Sequence, residues 1–469
     1  MDDEGKKVEK KKPGTGLSLM VFLISVAMLL LGVIVLGYDI HIVLLCALGF
    51  VCIVSWRLGY SFNELVECMK KPLGQSMSAM IIFIFIGIII ASWICSGTVP
   101  VLVVYGLQIM TPQIFLPTGY VLCCITSFAI GTSWGTIGTM GIVMMGIGAG
   151  MGIPAPVTAG MVLSGSFFGD KMSPMSDTTN LAPAAAGTTL YEHISSMWKV
   201  TAPSWFISFI VFCLFGLKYG GQSMNTELIT IFRDTISDNF VVTPIVLIPL
   251  IVLLVWNTLK FPAIPGMAVG SAIAVIIACA VQKMPLGDVL NALNYGYAQS
   301  TGVEVVDTLL LRGGIQNMMY TFSLSCIAIS FGGVLEQVGY LSKIIQLFVG
   351  RIKNNRFMVP VVIFSTFMGT LTMGEVYLSI VLVGNLYREN FKERGLKPEL
   401  LSRLLEEGGT LMQCFIPWST SGVFIAETLG VTAVEYAGYA VLNWVNPLLS
   451  IVLSMFGIFV LRENTERKN

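Results

Sequence analysis

Charge is scarce in this chain. Asp, Glu, Lys and Arg make up 12% of its 469 residues, about half the ~25% usual in soluble domains, whereas 55% are hydrophobic. No water-soluble surface can be assembled from that composition. The charge that exists is gathered up: residues 1–12 hold nine charged side chains, 388–407 hold ten and 462–468 hold five, together 24 of the 54. No polar block is long enough to fold as a soluble catalytic domain, and the sequence reads as an all-α polytopic membrane protein. The formal net charge of zero excludes a basic nucleic-acid surface. Histidine is nearly missing. His41 and His193 both fall near predicted helix ends, which leaves little for a zinc site or a proton relay and deprives an intramembrane serine enzyme of its base. The ten cysteines show no C-x-x-C spacing and lie mostly inside apolar runs, so they read as small packing residues.

A bilayer core about 30 Å thick needs about 20 apolar residues per helix. Apolar runs of that kind occur near 17–37, 39–56, 76–97, 113–131, 137–152, 199–219, 240–257, 262–282, 316–335, 357–387 and 436–460, with shorter or interrupted ones at 98–110, 157–187 and 408–430. The expected count is eleven to thirteen transmembrane or re-entrant helices. The first run is too long for a signal-peptide core and no small-residue cleavage site follows it, so it is expected as a retained span. Lys6, Lys7, Lys10, Lys11 and Lys12 put the N-terminus (1–16) in the cytoplasm, and the positive-inside rule also places Arg351, Lys353 and Arg356, then Arg388, Lys392, Arg394, Lys397 and Arg403, and the 461–469 tail with Arg462, Arg467 and Lys468, on the inner side. With both flanks inside, 357–387 cannot be one simple crossing and is expected to be a broken or re-entrant pair.

The sequence repeats weakly. Gly131-Thr132-Ser133-Trp134-Gly135-Thr136 is echoed by Gly369-Thr370-Leu371-Thr372-Met373-Gly374, 238 positions later, and Ser173-Pro174-Met175-Ser176-Asp177-Thr178 by Ile416-Pro417-Trp418-Ser419-Thr420-Ser421, 243 positions later. Two halves (17–219 and 240–460), joined by a polar loop at 220–239 and each carrying a Gly/Thr break then a Pro/Ser/Thr break, match the pattern of inverted-repeat transporters with broken helices.

Between Pro72 and Tyr191, 120 residues, the only charged side chains are Asp170, Lys171 and Asp177. A charge at bilayer depth costs on the order of 3 kcal/mol, so three together must pair, line a watery cavity or bind an ion. Pro174 removes an N–H and breaks the helix, freeing carbonyls at that depth. The break offers the Asp177 and Asp170 carboxylates, the Ser173, Ser176, Thr178 and Thr179 hydroxyls and the Asn180 amide, an oxygen set suited to a hard cation such as Na+. Asp177 is the expected shared ligand. Burial favours a protonated carboxyl and a nearby ammonium the ionised one, so a proton can compete for the same site. The bland alternative is an Asp170–Lys171 pair or a helix cap. Residues 131–152 carry eight glycines among 22, with Thr132, Ser133 and Thr136 as a second wall of the site or merely part of a close-packed helix. In the second half Glu375 is the best acidic candidate, and Ser419, Thr420 and Ser421 mirror the first-half hydroxyls.

The G-T-S-W-G-T string at 131–136, the S-G-S-F-F-G-D-K-M-S-P-M-S-D-T-T-N-L-A string from Ser164 to Ala182 and the I-P-W-S-T-S-G-V-F string from Ile416 closely resemble the NhaC family of Na+/H+ antiporters, over roughly residues 15 to 460. The resemblance implies a multi-pass bacterial inner-membrane antiporter with inverted repeats. It carries the family's acidic string onto Asp170 and Asp177, and its repeat partner onto Pro417 to Thr420. Because Asp177 aligns with Thr420, the second half lacks the matching carboxylate. The family includes a branch that exchanges malate for lactate, in which Lys171 would hold an organic carboxylate. Expected partners are therefore the lipid bilayer, Na+ and H+, with malate or lactate as the alternative cargo. No resident cofactor is implied, and a homodimer is one assembly open to such a chain.

Overall fold

The computed structural model describes residues 11–220, 226–259, 261–349 and 354–461. Lys6, Lys7, Lys10, Arg351, Lys353, Arg462, Arg467 and Lys468 lie outside them. Among the described residues every regular element is helical. Of the described residues, seven helices are long and apolar enough to cross a membrane, or up to nine if each of two bent pairs is one span, and Thr98–Ile109 and Val441–Met455 are shorter apolar helices. Large apolar side chains such as Trp56, Phe206, Leu217 and Ile276 are exposed on the outside of the bundle, as lipid contact requires of a chain with so few charges.

The breaks fall at the Gly/Thr and Pro/Ser/Thr strings. Pro112–Ile130 ends at Gly131, whose φ of 78° is left-handed, and the chain restarts as a helix at Ser133. Met358–Met373 ends at Gly374, φ 67°, and Val376–Glu393 follows. Glycine is needed at both turns because a Cβ disfavours that backbone region. The expected splitting of 357–387 into two helices is therefore present. Ala155–Met172 stops before Pro174, and Asp177–Ala186 begins after it. In the second half Pro398–Gly408 stops, and Thr420–Leu429 begins with Ser419 as its cap.

These boundaries share one register. Thr111, Gly131, Ser133, Ala155, Asp177 and Gly187 each correspond in role to the residue 243 positions later, namely Asn354, Gly374, Val376, Pro398, Thr420 and Gly430. The Gly/Thr echo is thus corrected from 238 to 243: Gly131 pairs with Gly374, and Thr132 with Glu375. Short Gly/Thr strings match at several offsets, and only the backbone turn selects one. Close helix contacts repeat too. A Cβ on Gly165 would collide with the carbonyl oxygen of Tyr120, and a Cβ on Gly408 with that of Ile363, again 243 apart.

The halves interleave. Asp177–Ala186 packs on Val376–Glu393, and Thr420–Leu429 packs on residues 137–150, so each short broken helix leans on the other half and all breaks meet centrally. Two expectations change. Residues 226–239, expected as loop, form the helix Thr226–Asn239, whose Phe232 and Ile236 recur at helical spacing and are fully buried, packing the helix on Thr98–Ile109. Arg403, expected in an inner loop, lies in the strongly amphipathic Pro398–Gly408 helix and is 1% exposed.

Candidate ion-binding site

Where the breaks meet, a cavity of about 490 Å³ opens, lined by residues from both halves. Three repeat-related pairs are among its lining residues: Ser133 and Val376, Trp134 and Tyr377, Asp170 and Gln413. Among the described residues, Asp170 and Asp177 are the charged ones in its lining.

Asp170 is 7% exposed, and both its oxygens are engaged. Ser133 Oγ donates to Oδ2 at 2.6 Å from the first break, and Ser176 Oγ donates to Oδ1 at 2.6 Å from the second. The same helix end sends Lys171 the other way. Its Nζ donates to Asn446 Oδ1 at 3.1 Å and lies 4.0 Å from Glu407 Oε1, fully buried and off the cavity wall, so the alternative of an Asp170–Lys171 pair does not form. The carbonyls freed by Pro174 are taken up locally. Thr179 Oγ1 donates to Asp170 O and Lys171 O at 3.0 Å each, and Asn180 Nδ2 donates to Pro174 O at 3.0 Å and Ser176 O at 2.7 Å. The Asn180 NH2 thus holds the break together.

The other expected residues divide. Thr132, Ser133, Ser176, Asp177, Thr178 and Asn180 line the cavity, with Asp177 and Asn180 exposed. Thr136 does not line it, and its hydroxyl donates to Thr132 O at 3.1 Å. Glu375 is fully buried at the cap of its helix, beside Thr420, with Oε2 unpartnered. Ser419 Oγ accepts from Gly422 N at 2.9 Å, and the buried Thr420 and Ser421 hydroxyls have no hydrogen-bond partner in place. None of these four lines the cavity. Sequence reasoning missed Gln75, Ser76 and Ser78, the polar interruption of the Phe62–Cys95 helix, and it missed Gln413, which the 243-residue register makes the counterpart of Asp170.

Behind the cavity lies a second unanticipated feature. Arg403 Nε is 3.4 Å from Glu407 Oε1, and its guanidinium donates to Ser196 O at 3.5 Å and Phe459 O at 3.4 Å. Lys171, Arg403, Glu406 and Glu407 are each at most 1% exposed. His193 is hydrogen-bonded to Ser402, both fully buried and away from the cavity, so it offers no base to a bound solute. Among the described residues no group of three His, Cys, Asp or Glu side chains could hold a metal ion. The cavity instead offers two carboxylates among hydroxyls, oxygen donors of the kind hard cations prefer.

The profile of the Na+/H+ antiporter family matches residues 165–458, the segment that holds both Pro/Ser/Thr breaks. The chain belongs to that family. It is similar to the Na+/H+ antiporter NhaC of Alkalihalophilus pseudofirmus, with 33% identity covering 97% of this chain and 98% of the relative. It is also similar to the malate-2H+/Na+-lactate antiporter of Bacillus subtilis, 31% identical over 94% of each chain. The arginine/ornithine antiporter ArcD of Halobacterium salinarum is 31% identical over 96% of this chain and 93% of its own length. This NhaC-type chain is accordingly a multi-pass membrane antiporter. The relatives' cargoes differ, so the cargo has to be argued from the cavity.

Proposed function

We propose that this antiporter exchanges Na+ for H+ across the cell membrane, taking the cation in the cavity at Asp170 with Asp177 at its mouth. One observation carries the reading: a nearly buried carboxylate, held by a hydroxyl from each of two helix breaks, faces a cavity with no basic side chain. An ionised Asp170 at that depth is tolerable when a cation sits beside it. Either ion neutralises the carboxylate, so each excludes the other. The interleaved repeats supply the moving parts, with each broken helix leaning on the opposite half, and alternating access follows from rocking one repeat against the other. In this reading the N-terminus is cytoplasmic and the membrane is the bacterial inner membrane.

Malate/lactate exchange would need a basic group in the cavity, and Lys171 is turned to Glu407 and Asn446 instead. Proteoliposomes loaded with a pH indicator decide the matter. Adding NaCl should dissipate an imposed proton gradient without organic acid. A requirement for malate or lactate would overturn the reading in favour of organic-acid exchange.

A further inference from the structure

The cavity is larger than a bare metal ion requires. Its volume of about 490 Å³ falls in the range of about 300–1,000 Å³ usual for small-molecule sites, and a dehydrated Na+ at Asp170 would leave most of it to water. Part of the lining also has nothing to offer a metal ion. Ile82, Leu181 and Val376 present hydrocarbon, and Trp134 and Tyr377 present aromatic rings. Of the three repeat-related pairs in the lining, Trp134 and Tyr377 alone keep one chemistry in both halves, since serine pairs with valine and aspartate with glutamine in the others. Trp134 is held in place by its neighbours. It stacks on Phe83 with ring centroids 5.1 Å apart and leans on Phe424 of the second-half broken helix at 5.5 Å. Fixed rings in the same wall as carboxylates attract organic cations, through the ring quadrupole as well as through charge.

Gln413 adds an independent observation. It is 3% exposed, it lines the cavity as the counterpart of Asp170, and its Oε1 has no hydrogen-bond partner in place. A buried acceptor left open is unfavourable, and an incoming N–H donor satisfies it. The hydroxyls around Asp170 suit such a donor too. Ser133 Oγ and Ser176 Oγ donate to Asp170 at 2.6 Å each, which leaves their lone pairs free to accept. We propose that the cavity also carries a small organic cation with N–H donors, an alkylammonium or alkylguanidinium, in exchange for H+. Its charged head sits at Asp170 and Gln413, and its hydrocarbon lies against Trp134 and Tyr377. This rests on the placement of the cation at Asp170 in the Na+/H+ reading and widens the cargo that site accepts. Charge balance is the same for either cargo: one monovalent cation, metal or organic, neutralises the carboxylate that a proton otherwise neutralises. An organic acid meets the opposite surface, since among the described residues no basic side chain lines the cavity.

The probe is n-propylguanidinium chloride, because a guanidinium stays protonated at every working pH and does not cross the bilayer as a free base. On the purified full-length protein, calorimetric NaCl titrations at rising probe concentration should show the apparent Na+ affinity falling in proportion, as for two ligands of one site. In proteoliposomes carrying a pH indicator, the probe alone should dissipate an imposed proton gradient. Tyr377→Leu should shift the selectivity between probe and Na+ about fivefold towards Na+, and Tyr377→Phe, which keeps the ring, should restore the wild-type ratio. Gln413→Leu should weaken probe binding about tenfold. A wild-type ratio in folded Tyr377→Leu, or wild-type probe affinity in folded Gln413→Leu, overturns the assignment, and should neither variant fold, competition and dissipation in the wild type decide. Competition without dissipation makes the probe a blocker and overturns the proposal as well. If Na+ dissipates the gradient while the probe neither competes nor dissipates it, the inference falls and the Na+/H+ reading stands. If the probe dissipates it and Na+ does not, the Na+/H+ reading falls and the organic cargo remains.

Discussion

Replacing Asp170 by Asn and Asp177 by Asn should have very unequal consequences, although the two residues line one cavity seven positions apart. A unit charge about 4 Å from a cation contributes roughly 4 kcal/mol at an effective dielectric constant of about 20, and roughly 1 kcal/mol where water intervenes. Asp170 is 7% exposed, so the first figure applies to it. Asp177 is exposed, so the second does. With about 1.4 kcal/mol per tenfold, Asp170→Asn should weaken Na+ binding by about three orders of magnitude, and Asp177→Asn by about fivefold. Asn retains the shape of Asp and an acceptor for Ser133 or Ser176, so the bundle should persist. Calorimetric titration with NaCl reads both affinities, with elution profile and melting temperature as folding controls. Raising ionic strength with a bulky organic cation should erase the Asp177 effect and spare that of Asp170, because screening acts on the exposed charge. Wild-type Na+ affinity in folded Asp170→Asn, or a larger loss in Asp177→Asn, would refute the assignment of the central carboxylate.

Three further sets of substitutions test the frame. Gly165→Ala and Gly408→Ala should each cost about 1–3 kcal/mol by forcing paired helices apart, lowering the melting temperature, whereas Gly74→Ala, which meets nothing within 4 Å, should not. Arg403→Met should destabilise by about 3 kcal/mol or more by leaving Glu407 to Lys171 alone, and adding Glu407→Gln should recover much of the loss; a double-mutant cycle in denaturant reads the difference. Thr179→Val removes the donor to Asp170 O and Lys171 O and should cost about 1–3 kcal/mol, while Thr179→Ser should be close to wild type in the same melt.

Scarcity made most of the fold and part of the site legible. Where nearly every residue is apolar, each departure is visible, and Asp170 and Asp177 stood out because 120 residues around them hold only one other charge. The Pro174 break was readable for the same reason, since proline ends a helix whatever surrounds it. The buried cluster was hidden by the opposite circumstance. Arg403, Glu406 and Glu407 close the most charged internal stretch of the sequence, and a run of mixed charges ordinarily marks a solvated loop. In the fold that stretch straddles the surface. Arg388, Lys392, Arg394 and Lys397 precede or cap the Pro398–Gly408 helix, which then dives inward until its last turn lies behind the cavity. Charge counting cannot see that turn inward, because it depends on where the helix points.

The register does show it. Pro398–Gly408 occupies the second-half place of Ala155–Met172, the helix that carries Asp170 and Lys171 into the first break. Its C-terminal end had to arrive at the centre as well, whatever its composition. Seen through that correspondence, the halves have divided the work. Gln413 stands where Asp170 would recur and Thr420 where Asp177 would, so the second half brings no carboxylate to the cavity wall. It brings Glu406 and Glu407 one layer deeper, at positions where the first half has Leu163 and Ser164. The two halves, alike in their breaks, are therefore unlike in charge: the carboxylates of the first lie at the cavity wall, and those of the second are buried away from it.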